Sequence, residues 1–117
     1  MATNNPKRGE VWLADMDPTR GEEIKKRRPV VVLSADPVGS TGLRIIVPLT
    51  GYKEKHDKYP WCVPLTKNTR NGLAKDSTAD AFQVKCVSVG RFIHRMGAVS
   101  ADTTKQVAEA VALCIDL

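Results

Sequence analysis

The sequence predicts a mainly β (α+β) fold: a small curled sheet or barrel of five or six short strands with one C-terminal helix. Three observations carry this. Short β-branched runs at residues 30–33 and 45–47 look like adjacent buried strands. Stretches such as 9–15, built around Val11, Trp12 and Leu13, alternate as a half-buried strand does. Helical spacing arrives only at the end, where Val107, Val111 and Ile115 fall four apart.

The elements follow in order. Residues 1–7 are polar and are expected to be loose. Residues 9–15 form the first strand, and Asp15 to Thr19 is turn chemistry around Pro18. Residues 20–27 are a charged loop. Pro29 lacks an amide donor, which suits the start of the second strand at 30–34. A glycine-rich loop at 36–42 leads into a third strand at 43–49, where Pro48 signals an edge or a bulge. A polar loop at 51–58 precedes a fourth strand at 59–65. Asn71 and Gly72 mark a turn. Residues 82–89 form a fifth strand, and Val99 closes a short sixth. Ser100 then caps the helix, with Asp102 in its first turn.

The 117 residues read as one domain, 1–117, which buries about two-thirds of its unfolded surface. Hydrophobic residues make up 42% and charged residues 26%, so a globular core is expected. The net charge of +5 and pI near 9.3 point to an anionic partner, or to a basic surface kept for solubility. Cys62, Cys86 and Cys114 form no C-x-x-C pair and sit in apolar runs. Neither a disulfide framework nor a zinc site is expected. No cofactor and no metal are expected. The N-terminus lacks the apolar core of a signal peptide, and no stretch reaches the length of a membrane span. The cytoplasm is the expected location.

The chemistry concentrates at residues 19–50. If the second and third strands pair antiparallel, Arg28 and Thr50 share one rim of the sheet, with Glu22 and Glu23 on the loop feeding it. A cation, a hydroxyl and a carboxylate there suit a phosphodiester. Arg28 belongs to a run of cations that reads either as a solvated loop or as a phosphate clamp, for which a guanidinium offers paired donors. In the second reading Lys25, Lys26 and Arg27 track a nucleic-acid backbone without reading bases. Thr50 can equally satisfy local backbone, and Glu23 can merely balance charge. His56 and His94 are the usual proton-transfer candidates, but a loop tip and a structural turn are their expected settings. Tyr52 and Trp61 flank the basic loop and can stack on unpaired bases. Trp12 and Phe82 are expected in the core.

These residues resemble the MazF/PemK family of toxin endoribonucleases from bacterial toxin–antitoxin pairs. The matching pieces lie at residues 8–13, 17–23, 28–34, 47–50, 59–63 and 83–85, in the family's order across nearly the whole chain. The resemblance implies an SH3-like or CcdB-like barrel and sequence-specific, metal-independent cleavage of single-stranded RNA. It implies a homodimer neutralised by an antitoxin whose acidic, flexible tail occupies the RNA groove. It places the catalytic arginine at Arg28, the catalytic threonine at Thr50 and a glutamate at Glu23. RNA contacts are expected from Lys25, Lys26, Arg27, Tyr52, Lys53, Lys55, Trp61, Gln83 and Lys85. The loop before Arg28 departs from the pattern, carrying Ile24 to Arg27 where many relatives have small residues. Two other classes share the fold: a CcdB-like protein-binding gyrase poison, and a non-catalytic nucleic-acid-binding barrel.

Overall fold

The computed structural model describes residues 4–16, 21, 26–36 and 41–117. Its strands are β1 (Glu10–Asp15), β2 (Arg27–Val32), β3 (Leu43–Gly51), β4 (Cys62–Leu65), β5 (Ser77–Asp80), β6 (Lys85–Ser88) and β7 (Phe92–Ala98). One helix, α1 (Ala101–Cys114), follows. The ladders are antiparallel, in the order β4-β5-β3-β2-β1-β7, with β6 also pairing with β3.

β3 joins the two halves. Its first residues pair with β6, from Leu43↔Ser88 to Ile46↔Lys85, and its last three pair with β5. Pro48 falls in the gap between those ladders. Leu33 donates to Ile45, so Ile45 and Val47 turn their backbone polar groups toward β2. By alternation Pro48 turns its missing amide away from β2, into the gap, where no ladder bond is lost.

Two clusters cover the two faces. Val11, Val31, Val47, Leu49, Val63 and Leu65 pack against Val107 and Ala110 of α1. Trp12, Ala14, Val30, Val32 and Ile46 pack on the other face with Val87 of β6 and Phe92 of β7. β6 and β7 lie at opposite ends of the path β6-β3-β2-β1-β7, so sharing a cluster means that these strands curl around it. Residues 89–91 bridge the seam with a 3-10 turn, and the described ladders do not close into a complete barrel. Burying each large aliphatic side chain contributes about 1.5–3 kcal/mol.

Several expectations change. The described residues hold seven strands, where five or six were expected. β5 was unforeseen because Ser77, Thr78, Ala79 and Asp80 carry no apolar run. The expected 82–89 strand shortens to β6 because the Asp80 side chain accepts from the Phe82 amide and starts a 3-10 turn. Of residues 91–95, expected to form a structural turn around His94, 92–95 belong to β7, with His94 exposed opposite Leu13. Phe82 is 67% exposed rather than in the core, whereas Trp12 is buried edge-on to Phe92. The helix cap is as expected: Ser100 Oγ accepts from the Thr103 amide at 3.1 Å. Val107 is buried and Val111 packs beside it, but Ile115 lies beyond the helix and is exposed.

Polar anchors finish the frame. Buried Arg44 donates to the Pro6 carbonyl at 2.8 Å and to Asn5 at 3.1 Å, holding the N-terminal arm against the sheet. Buried Asn71 donates to Thr66 O and accepts from the amides of Asn68 and Leu73, which locks the turn at Gly72. Arg70 O then accepts from the Ala98 amide, covering the open edge of β7. No described helix is long and apolar enough to cross a membrane.

Candidate active site

The β2–β3 ladder runs Val32↔Ile46, Val31↔Val47, Val30↔Pro48. Arg28 lies two residues before Val30 and Thr50 two residues after Pro48. Side chains alternate along a strand, so Arg28 and Thr50 share one face at one end of this pair. The same register, continued by two residues, sets them opposite each other. Both are half-buried, outside the two clusters.

The row extends beyond β3. Thr50 is opposite Thr78, and Thr78 is opposite Pro64. Thr78 is almost fully buried, and its hydroxyl lies 3.1 Å from His56 Nδ1. The same nitrogen accepts from the Lys53 amide at 3.0 Å. An amide always donates, so Nδ1 keeps its lone pair and the ring proton sits on Nε2. His56 is therefore not a loop-tip residue. It belongs to a 3-10 turn, Glu54–Lys58, folded against β5.

Asp80, two residues from Thr78, lies on the same face. Burial raises its carboxyl above the group's ordinary value, against a lowering by the bond from the Phe82 amide. Neither Thr78 nor Asp80 was foreseen. Recognising β5 would have placed both, but its composition carries no strand signal.

The remaining expected residues sort by position. Lys26 and Arg27 are exposed at the entry to β2, and Arg27 is opposite Asp15. Lys26 has φ +67°, and its carbonyl accepts from the Met16 amide. Lys85 is opposite Ile46 on the Thr50 face, four residues along β3, or about 13 Å. Half-buried Gln83 lies in the turn before it. Tyr52 is 40% exposed and donates to Asp57 at 2.6 Å. Lys53 and Lys55 are exposed on the same loop. Trp61 lies apart from this face. It stacks on Tyr59 at 4.9 Å, meets Phe82 edge-on and packs on the helix-side cluster. Glu22, Glu23 and Lys25 lie outside the described residues. His56 and His94 are not brought together, because three strands separate β5 from β7. Among the described residues no three His, Cys, Asp or Glu side chains are grouped to hold a metal ion.

A curated relative, endoribonuclease MazF9 of Mycobacterium tuberculosis, is 38% identical over 117 residues, covering 95% of this chain and 97% of the relative. The fold matches the crystal structure of MazF (Form-I) from Deinococcus radiodurans with a TM-score of 0.82 and 22% identity, covering 97% and 99% of the two chains. It also matches an endoribonuclease from Mycobacterial species in complex with its cognate antitoxin, with a TM-score of 0.75, 18% identity and 96% of each chain covered. The model of PemK-like, MazF-like toxins of type II toxin–antitoxin systems matches residues 7–115, and this chain belongs to that family.

Proposed function

We propose that this chain is an endoribonuclease toxin that cuts single-stranded RNA without a metal ion. The observation that carries the reading is a guanidinium and a hydroxyl, Arg28 and Thr50, sharing one face at the end of the β2–β3 pair. RNA brings its own nucleophile, the 2′-hydroxyl. The protein must align it, remove its proton, stabilise the charge that grows at phosphorus, and release the 5′-oxygen. Arg28 supplies the charge and Thr50 a further hydrogen bond to the same phosphate. A guanidinium keeps its proton near neutral pH and shuttles protons poorly, so the base is assigned to Glu23. Lys25, Lys26, Arg27, Lys53, Lys55 and Lys85 hold the backbone, with Gln83 and Tyr52 beside them. A cognate antitoxin with an acidic tail competes for this basic surface, and the cytoplasm is where both are found.

The test uses RNA with one 2′-deoxy sugar at the cleavage position, in EDTA. The deoxy strand is expected to bind and resist cutting. Unmodified RNA is expected to yield a 2′,3′-cyclic phosphate and a 5′-hydroxyl. Normal cutting of the deoxy strand would mean that water attacks instead. RNA left intact, with salt-dependent binding, would favour the non-catalytic barrel.

Lys26 offers a finer check. A non-glycine residue at positive φ costs about 1 kcal/mol. Lys26→Ala and Lys26→Gly are each expected to lower the salt slope of RNA binding by about one. Only Lys26→Gly also relieves the backbone, and it is expected to unfold about 1 kcal/mol above Lys26→Ala. Different salt slopes for the two variants would show that loop conformation, rather than charge, governs binding.

The protein pairs as a symmetric homodimer, with RNA crossing both subunits. Val107 and Val111 serve the subunit's own core, so other surfaces build the interface. Exposed Leu43 and Ile45 on β3 are an apolar pair suited to it. Sedimentation at micromolar concentration is expected to give twice 12.8 kDa. A mass of one subunit would sink the dimer.

A further inference from the structure

Thr78 has two neighbours with chemistry. Thr50 stands opposite it in the β3–β5 ladder, and His56 Nδ1 lies 3.1 Å from its hydroxyl. Beside Thr78 opens a cavity of about 250 Å3 walled by Tyr52, His56, Asp57, Cys62, Pro64 and Thr78. Its polar groups are fixed. The Lys53 amide holds His56 as the Nε2–H tautomer, which makes Nε2 a donor. Tyr52 donates to Asp57 at 2.6 Å, a bond that first of all raises the pKa of the phenol and keeps its proton in place. The carboxylate has lone pairs left to accept from a ligand. Tyr52 and Pro64 add flat apolar surface.

A carboxylate in the wall repels phosphate, so this cavity is not another backbone clamp. One donor and one acceptor between flat apolar groups fit the edge and face of an unpaired base. We infer that the cavity is a nucleobase pocket. It takes one base beside the scissile bond, read by the His56 Nε2–H and the Asp57 carboxylate. The inference rests on the ribonuclease reading above. His56 is here a specificity residue, not a general acid or base.

The test pairs one variant with one substrate series. His56→Asn keeps an acceptor for the Lys53 amide and removes the Nε2–H. Wild type and variant are each given a random single-stranded RNA library, and the new ends are sequenced. The variant is expected to lose preference at one position beside the cut by about tenfold or more in relative kcat/KM, and to keep the others. Wild type is then given RNAs with a single abasic nucleotide at each position around the cut. The same position is expected to show the penalty, and the variant is expected to show none there, as coupling between the two changes requires. Cleavage with the same preference and the same abasic penalty in both proteins overturns the pocket but leaves the ribonuclease reading standing. Should the variant be inactive, the wild-type series decides alone, and no penalised position overturns the pocket. Failure of wild type to cut any RNA overturns both.

Discussion

Arg28→Ala is expected to lower RNA cleavage by on the order of a hundredfold or more, with unchanged circular dichroism. Removing one preorganised donor from a site where charge develops typically costs that much. Arg28 is half-buried at the start of β2, outside both clusters, so truncation opens no hole in the core. Thr50→Ala is expected to lose activity in the same way, and Thr50→Ser to recover much of it by restoring the hydroxyl. His94→Ala, on β7 three strands from β5, is expected to stay within about tenfold of wild type, too little for a lost general acid. Loss of cleavage in step with loss of circular dichroism would make Arg28 a structural residue. A far larger His94 effect in a folded variant would restore a histidine mechanism.

Gly97→Ala should unfold the protein more readily than any surface change. A methyl group there would strike the Arg70 carbonyl oxygen and lie 2.6 Å from the Asn71 carbonyl carbon. Gly72→Ala would strike the Met96 carbonyl oxygen from the other side, at a backbone φ of +68°. Both obstacles are backbone, which cannot rotate aside. A cost of about 3 kcal/mol for each is expected, a large part of the roughly 5–15 kcal/mol that holds a domain together. For a chain of this size that lowers the melting midpoint by about 10 °C. Denaturant unfolding within about 0.5 kcal/mol of wild type would show that the 66–74 loop can back away from β7.

The legible parts of the sequence were those where one local signal and the tertiary structure agree. The 30–33 run is buried throughout, as are Ile46 and Val47, so β-branched composition was sufficient there, although Ile45 is exposed. Ser100 caps its helix locally, and Asn71 with Gly72 turns locally. β5 was illegible because its burial comes from neighbours. Ser77, Thr78 and Ala79 are buried by β3, β4 and the 3-10 turn, with no apolar pattern of their own. Missing β5 also hid the setting of His56, whose partner Thr78 is 22 residues away. Arg28 and Thr50 were reachable because an antiparallel register follows from two adjacent strands. Phe82 misled for the opposite reason: its apolar character said core, whereas the Asp80 cap turns the chain outward.

The pairing of β1 with β7 sets the order in which the protein can come into being. Glu10 faces Ala98, so the sheet joins its first and last strands in sequence, with only the helix and its short tail following β7 among the described residues. Until β7 exists, β1 has a partner on one side only, and Phe92 is missing from the cluster around Trp12. Closing so long a loop is entropically costly and slow compared with local contacts. A nascent chain still short of residue 92 therefore lacks the native sheet.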